Sequence, residues 1–249
     1  MYTDAHCHLY KEYYDNIKNI LAISKNNAVN RYINNGCDRN SNKEVLELID
    51  EYENMYGTLG IHPEYVNNYK LEDIKFIENN ISKEKIIAIG EIGLDYYYTK
   101  ENKNEQIKLF EMQLELAEKY NIPVVIHSRD ATLDTINILK KFNVKGLIHS
   151  FSGSLETAKE YIKMGYLIGV NGVITFKNSS LKDVIKEIPL EYLVLETDSP
   201  YLTPMPFRGK QNNPSHIVDI AKFVSELKNI SLEELAKITN NNLSRIFEI

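Results

Sequence analysis

The chain has 249 residues, with 29 lysines and arginines against 35 aspartates and glutamates, a net charge of −6 and a pI near 5.6. That balance excludes a broad cationic footprint for duplex DNA, so any contact with nucleic acid has to be local. Two cysteines, Cys7 and Cys37, supply neither a disulfide framework nor a zinc cluster. No uninterrupted apolar stretch reaches the ~18 residues of a membrane span, and the sequence moves straight into Tyr2-Thr3-Asp4 with no basic segment followed by an apolar stretch. The expectation is a soluble, cytoplasmic protein with no membrane partner and no stable protein partner.

Short apolar runs alternate with longer amphipathic stretches, the pattern of repeated βα units around a parallel sheet. Eight runs are expected as strands, near Tyr2 to His6, Val29 to Ile33, Tyr56 to Ile61, Ile86 to Glu91, Val124 to His127, Gly146 to His149, Leu167 to Val170 and Tyr192 to Glu196. Eight such units predict an α/β fold, a (β/α)8 TIM barrel, for which about 250 residues are usual; a doubly wound open sheet would alternate in a similar way. With no Gly/Ser linker, repeat or low-complexity segment, residues 1–249 are read as one hydrolase-sized domain.

Between Asn104 and Tyr120, Ile107, Phe110, Leu114 and Ala117 recur at helical spacing while Lys108, Glu111, Glu115 and Glu118 cover the other side, predicting a helix laid on the sheet. Asn213 and Pro214 read as N-cap and first-turn proline of a helix whose buried stripe is Ile217, Ile220, Ala221 and Val224. Ser231 and Glu234 form a capping-box pattern before Leu232, Leu235 and Ile238 of the last helix. From Ser199 to Asn213 the chain is irregular and stiffened by Pro200, Pro204 and Pro206, and a connection this long inside a compact domain is usually functional.

Polar residues that are expensive in an apolar core stand at the C-terminal ends of these runs. His6 and His8 follow the first, on one face and about 6 to 7 Å apart along a strand, while Cys7 points the other way. His62 follows the third, Glu91 the fourth, His127 with Ser128-Arg129-Asp130 the fifth, His149 the sixth and Glu196-Thr197-Asp198 the eighth. In a parallel barrel these ends share one rim, where active sites are built. Singly, each has a plainer role: His62 a turn residue before proline, Glu91 a loop carboxylate paired to lysine, His127 or His149 a hydrogen-bonded core histidine, Asp198 the start of a turn. Their conjunction on one rim points to a metal site.

Six segments carry a resemblance: Thr3-Asp4-Ala5-His6-Cys7-His8-Leu9, Gly60-Ile61-His62-Pro63, Ala88-Ile89-Gly90-Glu91-Ile92-Gly93-Leu94-Asp95, Pro123-Val124-Val125-Ile126-His127-Ser128-Arg129, Ile148-His149-Ser150-Phe151-Ser152-Gly153 and Leu195-Glu196-Thr197-Asp198-Ser199-Pro200-Tyr201-Leu202. In order, spacing and flanking residues they closely resemble the signature segments of the TatD family of metal-dependent deoxyribonucleases, across essentially the whole chain. The resemblance implies an amidohydrolase-type TIM barrel, a two-metal centre and 3′-to-5′ exonuclease action on DNA. It implies that His6, His8 and Asp198 hold one divalent ion, His127 and His149 the second, and that Glu91 bridges them. One departure lies in the irregular loop, where Gln211-Asn212-Asn213-Pro214 replaces Arg-Asn-Glu-Pro after Arg208-Gly209-Lys210.

Two ions sharing a carboxylate suit phosphodiester hydrolysis, because they can lower the pKa of a water and neutralise phosphoryl charge. Asp198 is the candidate general base, and Glu91 and His62 complete the expected catalytic set. His62 and Arg129 are candidates for the phosphate, with Arg208 and Lys210 following the nucleic-acid backbone; a salt bridge for Arg129 and an exposed pair for Arg208 and Lys210 are the alternatives. Tyr96, Tyr97 and Tyr98 could stack an unpaired base or simply pack a loop. Four imidazoles favour zinc, manganese, cobalt, nickel or iron over magnesium, although availability could still bring magnesium in. The expected substrate is single-stranded DNA or DNA ends. The alternatives are a small-molecule hydrolase, or a D-aminoacyl-tRNA deacylase, using the same centre, and a non-catalytic barrel that only binds nucleic acid or a partner.

Overall fold

In the computed structural model, which describes residues 1–97 and 99–249, the eight expected runs are eight parallel strands. They are β1 Tyr2–Cys7, β2 Val29–Asn35, β3 Met55–Leu59, β4 Ile86–Asp95, β5 Val124–Arg129, β6 Gly146–Ile148, β7 Leu167–Val170 and β8 Leu193–Leu195. Each pairs with its neighbours in chain order. The ring closes where β1 meets the chain leaving β8: Cys7 bridges Ser199 in the parallel sense, Asp198 N–H donates to His6 O at 2.9 Å, and His8 N–H donates to Ser199 O at 2.8 Å. This closure excludes the open doubly wound sheet, and the fold is a TIM barrel.

Around it run α1 Ile17–Asn26, α2 Arg39–Glu51, α3 Leu71–Asn80, α4 Lys103–Tyr120, α5 Thr132–Leu139, α6 Leu155–Lys163, α7 Leu181–Glu187, α8 Ile217–Lys228 and α9 Leu232–Phe247. None of the helices among the described residues is long and apolar enough to cross a membrane. A cluster of Ala5, Ile33, Ala88, Val125, Leu147, Leu167 and Val194 continues into Leu243, Ile246 and Phe247 of α9. α9 is anchored at the starts of β1 and β8, where Asn240 donates to Met1 O and Asn242 to Leu193 O, each at 2.8 Å. One end of the barrel is thereby closed, leaving the C-terminal ends of the strands for the site.

Some boundaries differ from the sequence reading. β4 runs four residues past Glu91 to Asp95 and is buried throughout, because its glycines serve close approach and do not end the strand. β2 continues to Asn35, β3 stops at Leu59, and Tyr192 lies in a 3-10 turn, Leu190–Tyr192, ahead of β8. Asn213 accepts from Ser215 N–H at 3.1 Å and caps a 3-10 turn, Pro214–His216, so α8 starts only at Ile217; proline's fixed φ suits this tighter first turn equally well. Ser231 caps α9 as expected, accepting from Glu234 N–H at 3.1 Å.

α4 does more than cover β4. Its buried face carries Gln106 and Gln113 beside Leu109, Phe110, Leu114 and Ala117. Gln113 accepts from Ile61 N–H at 2.8 Å and donates to Ile61 O at 3.0 Å; Gln106 does the same for Asp95, 2.9 Å each way. Each amide satisfies both polar groups of a residue leaving the sheet, so buried loop backbone is held without an unpaired group.

Glycines set the remaining spacing. Gly93 has φ of +146°, and a Cβ there would lie 1.9 Å from His127 O. At Gly60 it would meet Gly90 C at 2.5 Å and Glu91 N at 2.9 Å. Gly93→Ala is therefore expected to lower stability by about 3 kcal/mol or more, combining a backbone clash with a disfavoured φ. The check is the midpoint of a denaturant unfolding curve, and an unchanged midpoint would show that β4 and β5 can move apart freely.

Candidate metal centre

β1 is not regular at its end. Asp4 pairs with Tyr32 and Cys7 with Asn34, so β1 has one residue more than β2 across this interval, and the bulge re-aims the chain. His6 and His8 consequently converge, their Nε2 atoms 3.1 Å apart. β4 has a comparable shift between Ile89 and Ile92, around Glu91.

Glu91 is the meeting point. Its Oε2 lies 3.3 Å from His6 Nε2 and 3.5 Å from His8 Nε2, and Asp198 Oδ1 lies 3.6 and 3.5 Å from the same two nitrogens. Its Oε1 lies 2.9 Å from His127 Nδ1, 2.8 Å from His149 Nε2 and 3.5 Å from His62 Nε2. Five of the six histidines thus surround one carboxylate, and His216 pairs instead with Asp219 on α8 at 3.0 Å. Among the described residues, donor atoms of His6, His8 and Asp198 lie within 4.8 Å of one another, as do those of His6, His149 and Glu196, of His8, Cys37 and Glu91, and of His62, Glu91 and His127, four overlapping groups that could hold a cation. Borderline imidazole nitrogens combined with hard carboxylate oxygens fit divalent transition ions.

The charges follow from burial and neighbours. Burial works to raise the pKa of Glu91, but His149, His62, His6 and the hydrogen bond to His127 hold it well below the carboxylate range. Asp198, likewise opposed by burial, is held low by the hydrogen bond to His8 and by the charges of His149 and His6. Burial depresses His6 to about 4 and His62 to about 3, so both imidazoles are neutral near pH 7. His127 is carried against burial up to about 9 by its hydrogen bonds to Asp95 and Glu91.

The tautomer of His62 is fixed from outside: Glu64 N–H donates to its Nδ1 at 3.2 Å, leaving the proton on Nε2. Asp95 does the corresponding work for His127. Its Oδ2 accepts from His127 Nε2–H at 3.0 Å, so that Nδ1 faces Glu91. Asp95 is itself held by Gln106 and by Tyr97 N–H at 2.9 Å. The sequence reading gave Asp95 no role. Two-residue alternation along a longer β4 puts it on the face of Glu91, and ending the strand at Glu91 hid that.

His8, His62, Glu91, Asp95, His127, His149 and Asp198 line one cavity of about 670 Å³, while His6 is fully buried. Arg129 lies in its wall with its guanidinium 3.7 Å from the Tyr97 ring centroid. Arg208 and Lys210 do not line it; Arg208 lies 4.5 Å over Phe176 and Lys210 5.9 Å from Phe207, within the loop after β8 and its surroundings. Tyr96 is buried and donates to Asp134 Oδ2 at 3.0 Å, Tyr97 is exposed, and Tyr98 lies outside the described residues. Glu196, named only as the end of a strand, turns inward: it is fully buried, 3.8 Å from His149 Nδ1, and burial lifts its pKa to about 8. Cys37, Tyr10, Tyr13, Tyr65 and Tyr201 also line the cavity, and no spacing motif marks them in the sequence.

A closed barrel whose C-terminal rim gathers imidazoles around shared carboxylates has the architecture of a metal-dependent hydrolase. Residues 3–248 match the family described as TatD related DNase. The metal-dependent hydrolase YabD of Bacillus subtilis strain 168 is 41% identical over 254 residues, covering 100% of both chains. The metal-dependent hydrolase YcfH of Escherichia coli K12 is 35% identical over 256 residues, covering 99% of this chain and 96% of its own. The crystal structure of YjjV, a TatD homolog from Escherichia coli K12, superposes with a TM-score of 0.94 at 30% identity, covering 100% of this chain and 98% of that one. The chain belongs to the TatD family and is a metal-dependent hydrolase of that type.

Asp95→Asn removes the carboxylate that lifts His127. In metal-stripped protein the half-protonation of His127, near pH 9 in the parent, is expected to fall toward the ordinary histidine value of about 6.5. NMR titration of the imidazole carbons reads this directly, and an unmoved titration would deny Asp95 any hold on the ring.

Proposed function

We propose that the protein is a metal-dependent nuclease that removes nucleotides from the 3′ ends of single-stranded DNA. The observation that carries the reading is the division of Glu91, which offers one oxygen to His6 and His8 beside Asp198 and the other to His127 and His149. That donor set suits two cations sharing one carboxylate, with His6, His8 and Asp198 on one and His127 and His149 on the other. Two ions so held would lower the pKa of a water and offset charge developing on a phosphoryl group.

The chain's own groups supply the rest. Asp198 sits at the cavity with its side chain 12% exposed, and its low pKa keeps it ionised and able to take a proton from the attacking water. His62, neutral and carrying its proton on Nε2, donates to a substrate oxygen without adding charge. Arg129 faces the same space and can grip a phosphate with two N–H groups. Arg208 and Lys210, beyond the cavity lining, meet the nucleic-acid backbone farther along the strand. A net charge of −6 leaves an extended duplex poorly held, which favours single-stranded ends.

The direct test is digestion of a short single-stranded DNA labelled at its 5′ end, using stripped protein resupplied with magnesium, manganese or zinc. A descending ladder that needs metal and vanishes in His127→Ala is expected. Intact DNA with all three metals would overturn the nuclease reading and favour an aminoacyl ester, whose ammonium group the carboxylates Glu12, Asp38, Glu44 and Glu64 of the cavity would receive.

Glu91→Gln is expected to bind at least one divalent ion fewer per chain than the parent, read by elemental analysis after equilibrium dialysis. An unchanged stoichiometry would remove Glu91 from the bridging position.

A further inference from the structure

The cavity wall is unevenly built. On the side formed by the segments after β8, β1 and β3 and by the β2–α2 connection with the first half of α2 stand Tyr10, Tyr13, Tyr65 and Tyr201, with Glu12, Asp38, Glu44 and Glu64. No lysine or arginine is among the described residues lining that side. On the side after β5, β6 and β7 stand Ser128, Arg129, Ser150, Ser152 and Asn171, groups that hydrogen-bond phosphate and sugar oxygens well.

Tyr10 is buried, whereas Tyr13 and Tyr201 are held by each other but not covered. Tyr201 donates its hydroxyl proton to Tyr13 Oη at 3.0 Å, and the two rings meet edge to face at 5.9 Å. Tyr201 also lies edge to face with His8 at 6.4 Å, which ties the aromatic wall to the imidazole cluster. Neither contact is a parallel stack. Tyr201 remains 50% exposed and Tyr65 38%. Aromatic surface left open inside a concave site is costly to hydrate and accepts a flat, apolar-faced ligand.

The neighbouring carboxylates Asp38, Glu44 and Glu64 stand against neutral groups. Asp38 accepts the N–H of Ser41 at the start of α2 at 2.8 Å, Glu44 accepts the backbone N–H of Lys11 at 2.6 Å, and Glu64 lies 3.7 Å from the neutral His62 ring. Lys11 itself pairs with Glu47 at 2.9 Å and does not line the cavity. A phosphate brought to this side would meet several like charges in a partly desolvated space. A nucleobase brings none, and its amino protons find acceptors there.

Building on the nuclease reading, we propose that the wall of Tyr13, Tyr65 and Tyr201 is a subsite for the base of the 3′-terminal nucleotide, and that the carboxylates around it refuse a nucleotide carrying a further phosphate. The substrate strand then runs out along the β5 to β7 side. Attack at the chain end follows from charge, because the strand cannot continue past the tyrosines.

The test uses the full chain with its metals and three 5′-labelled single strands of one sequence, ending in an ordinary nucleoside, an abasic residue or a 3′-phosphate. The abasic end is expected to lower kcat/KM about tenfold, the scale of one base–aromatic stack, and the 3′-phosphate by at least as much. Tyr201→Ala should bring the ordinary-to-abasic ratio toward one while Tyr201→Phe keeps it, and Glu12→Gln with Glu64→Gln should relieve the penalty on the phosphate. Tyr65→Ala reads the same ratio if the Tyr201 variant does not fold. Digestion of ordinary and abasic ends at equal rates by the parent overturns the subsite and leaves the nuclease reading standing. Protein that cleaves none of the three strands yet hydrolyses bis(4-nitrophenyl) phosphate overturns both.

Discussion

Glu91 carries a full charge at a place where its residue is only 3% exposed. A buried ion costs several kcal/mol unless it is paired and hydrogen-bonded, and five imidazoles within 2.8 to 3.5 Å provide that compensation. The dependence runs both ways. His8, His127 and His149 are all raised above the ordinary histidine pKa, with Glu91 among the causes in each case. Taking the carboxylate away removes one of the charges that hold protons on His8, His127 and His149 and leaves the imidazoles with Asp198 as the nearest remaining shared carboxylate. The site is therefore one electrostatic unit, built so that cations can replace protons between the same donors.

Such a unit works only if its members are placed to a fraction of an ångström, and the placement comes from side chains that never reach the cavity. Gln113 and Gln106 of α4 grip the backbones of Ile61 and Asp95, one residue from His62 and at the partner of His127. Asn42 of α2 grips Gly60 in the same way, donating to its carbonyl at 2.9 Å and accepting its N–H at 3.1 Å. Asp4, buried so that its pKa rises to about 7, accepts from Thr197 N–H at 2.8 Å and from the Thr197 hydroxyl, which holds the chain leading into Asp198. Amide and carboxylate clamps of this kind restore the hydrogen bonds that irregular loops would lose on burial. Strand ends become a rigid rim, as a preorganised site requires.

What was legible in the sequence follows from this division. The eight apolar runs gave the barrel because parallel strands buried on both faces read as near-continuous apolar segments. That His6, His8, His62, Glu91, His127, His149 and Asp198 gather at one rim was legible because such polar side chains at strand ends have no cheap structural use. Asp95 escaped because glycines on both sides of Glu91 look like strand terminators, whereas Gly93 is there to let the His127 carbonyl pass. Gln106 and Gln113 escaped because helical periodicity counts apolar residues, and a buried amide at the same spacing reads as an interruption. The tyrosines of the cavity come from the loops after β8, β1 and β3 and meet only in three dimensions.

The charge of the whole chain and that of its cavity point in the same direction. A protein of net charge −6 repels a polyanion at long range, and the tyrosine side of the cavity adds carboxylates to that repulsion. Cations held by Glu91 and its histidines would then be the dominant local positive charge, and attraction would be confined to the few ångströms around them by screening. On the proposed reading, a long strand gains little from the outer surface and is held mainly where one phosphate reaches the centre. On that same reading, selectivity for a chain end would arise from the poverty of attraction elsewhere as much as from contacts within the site.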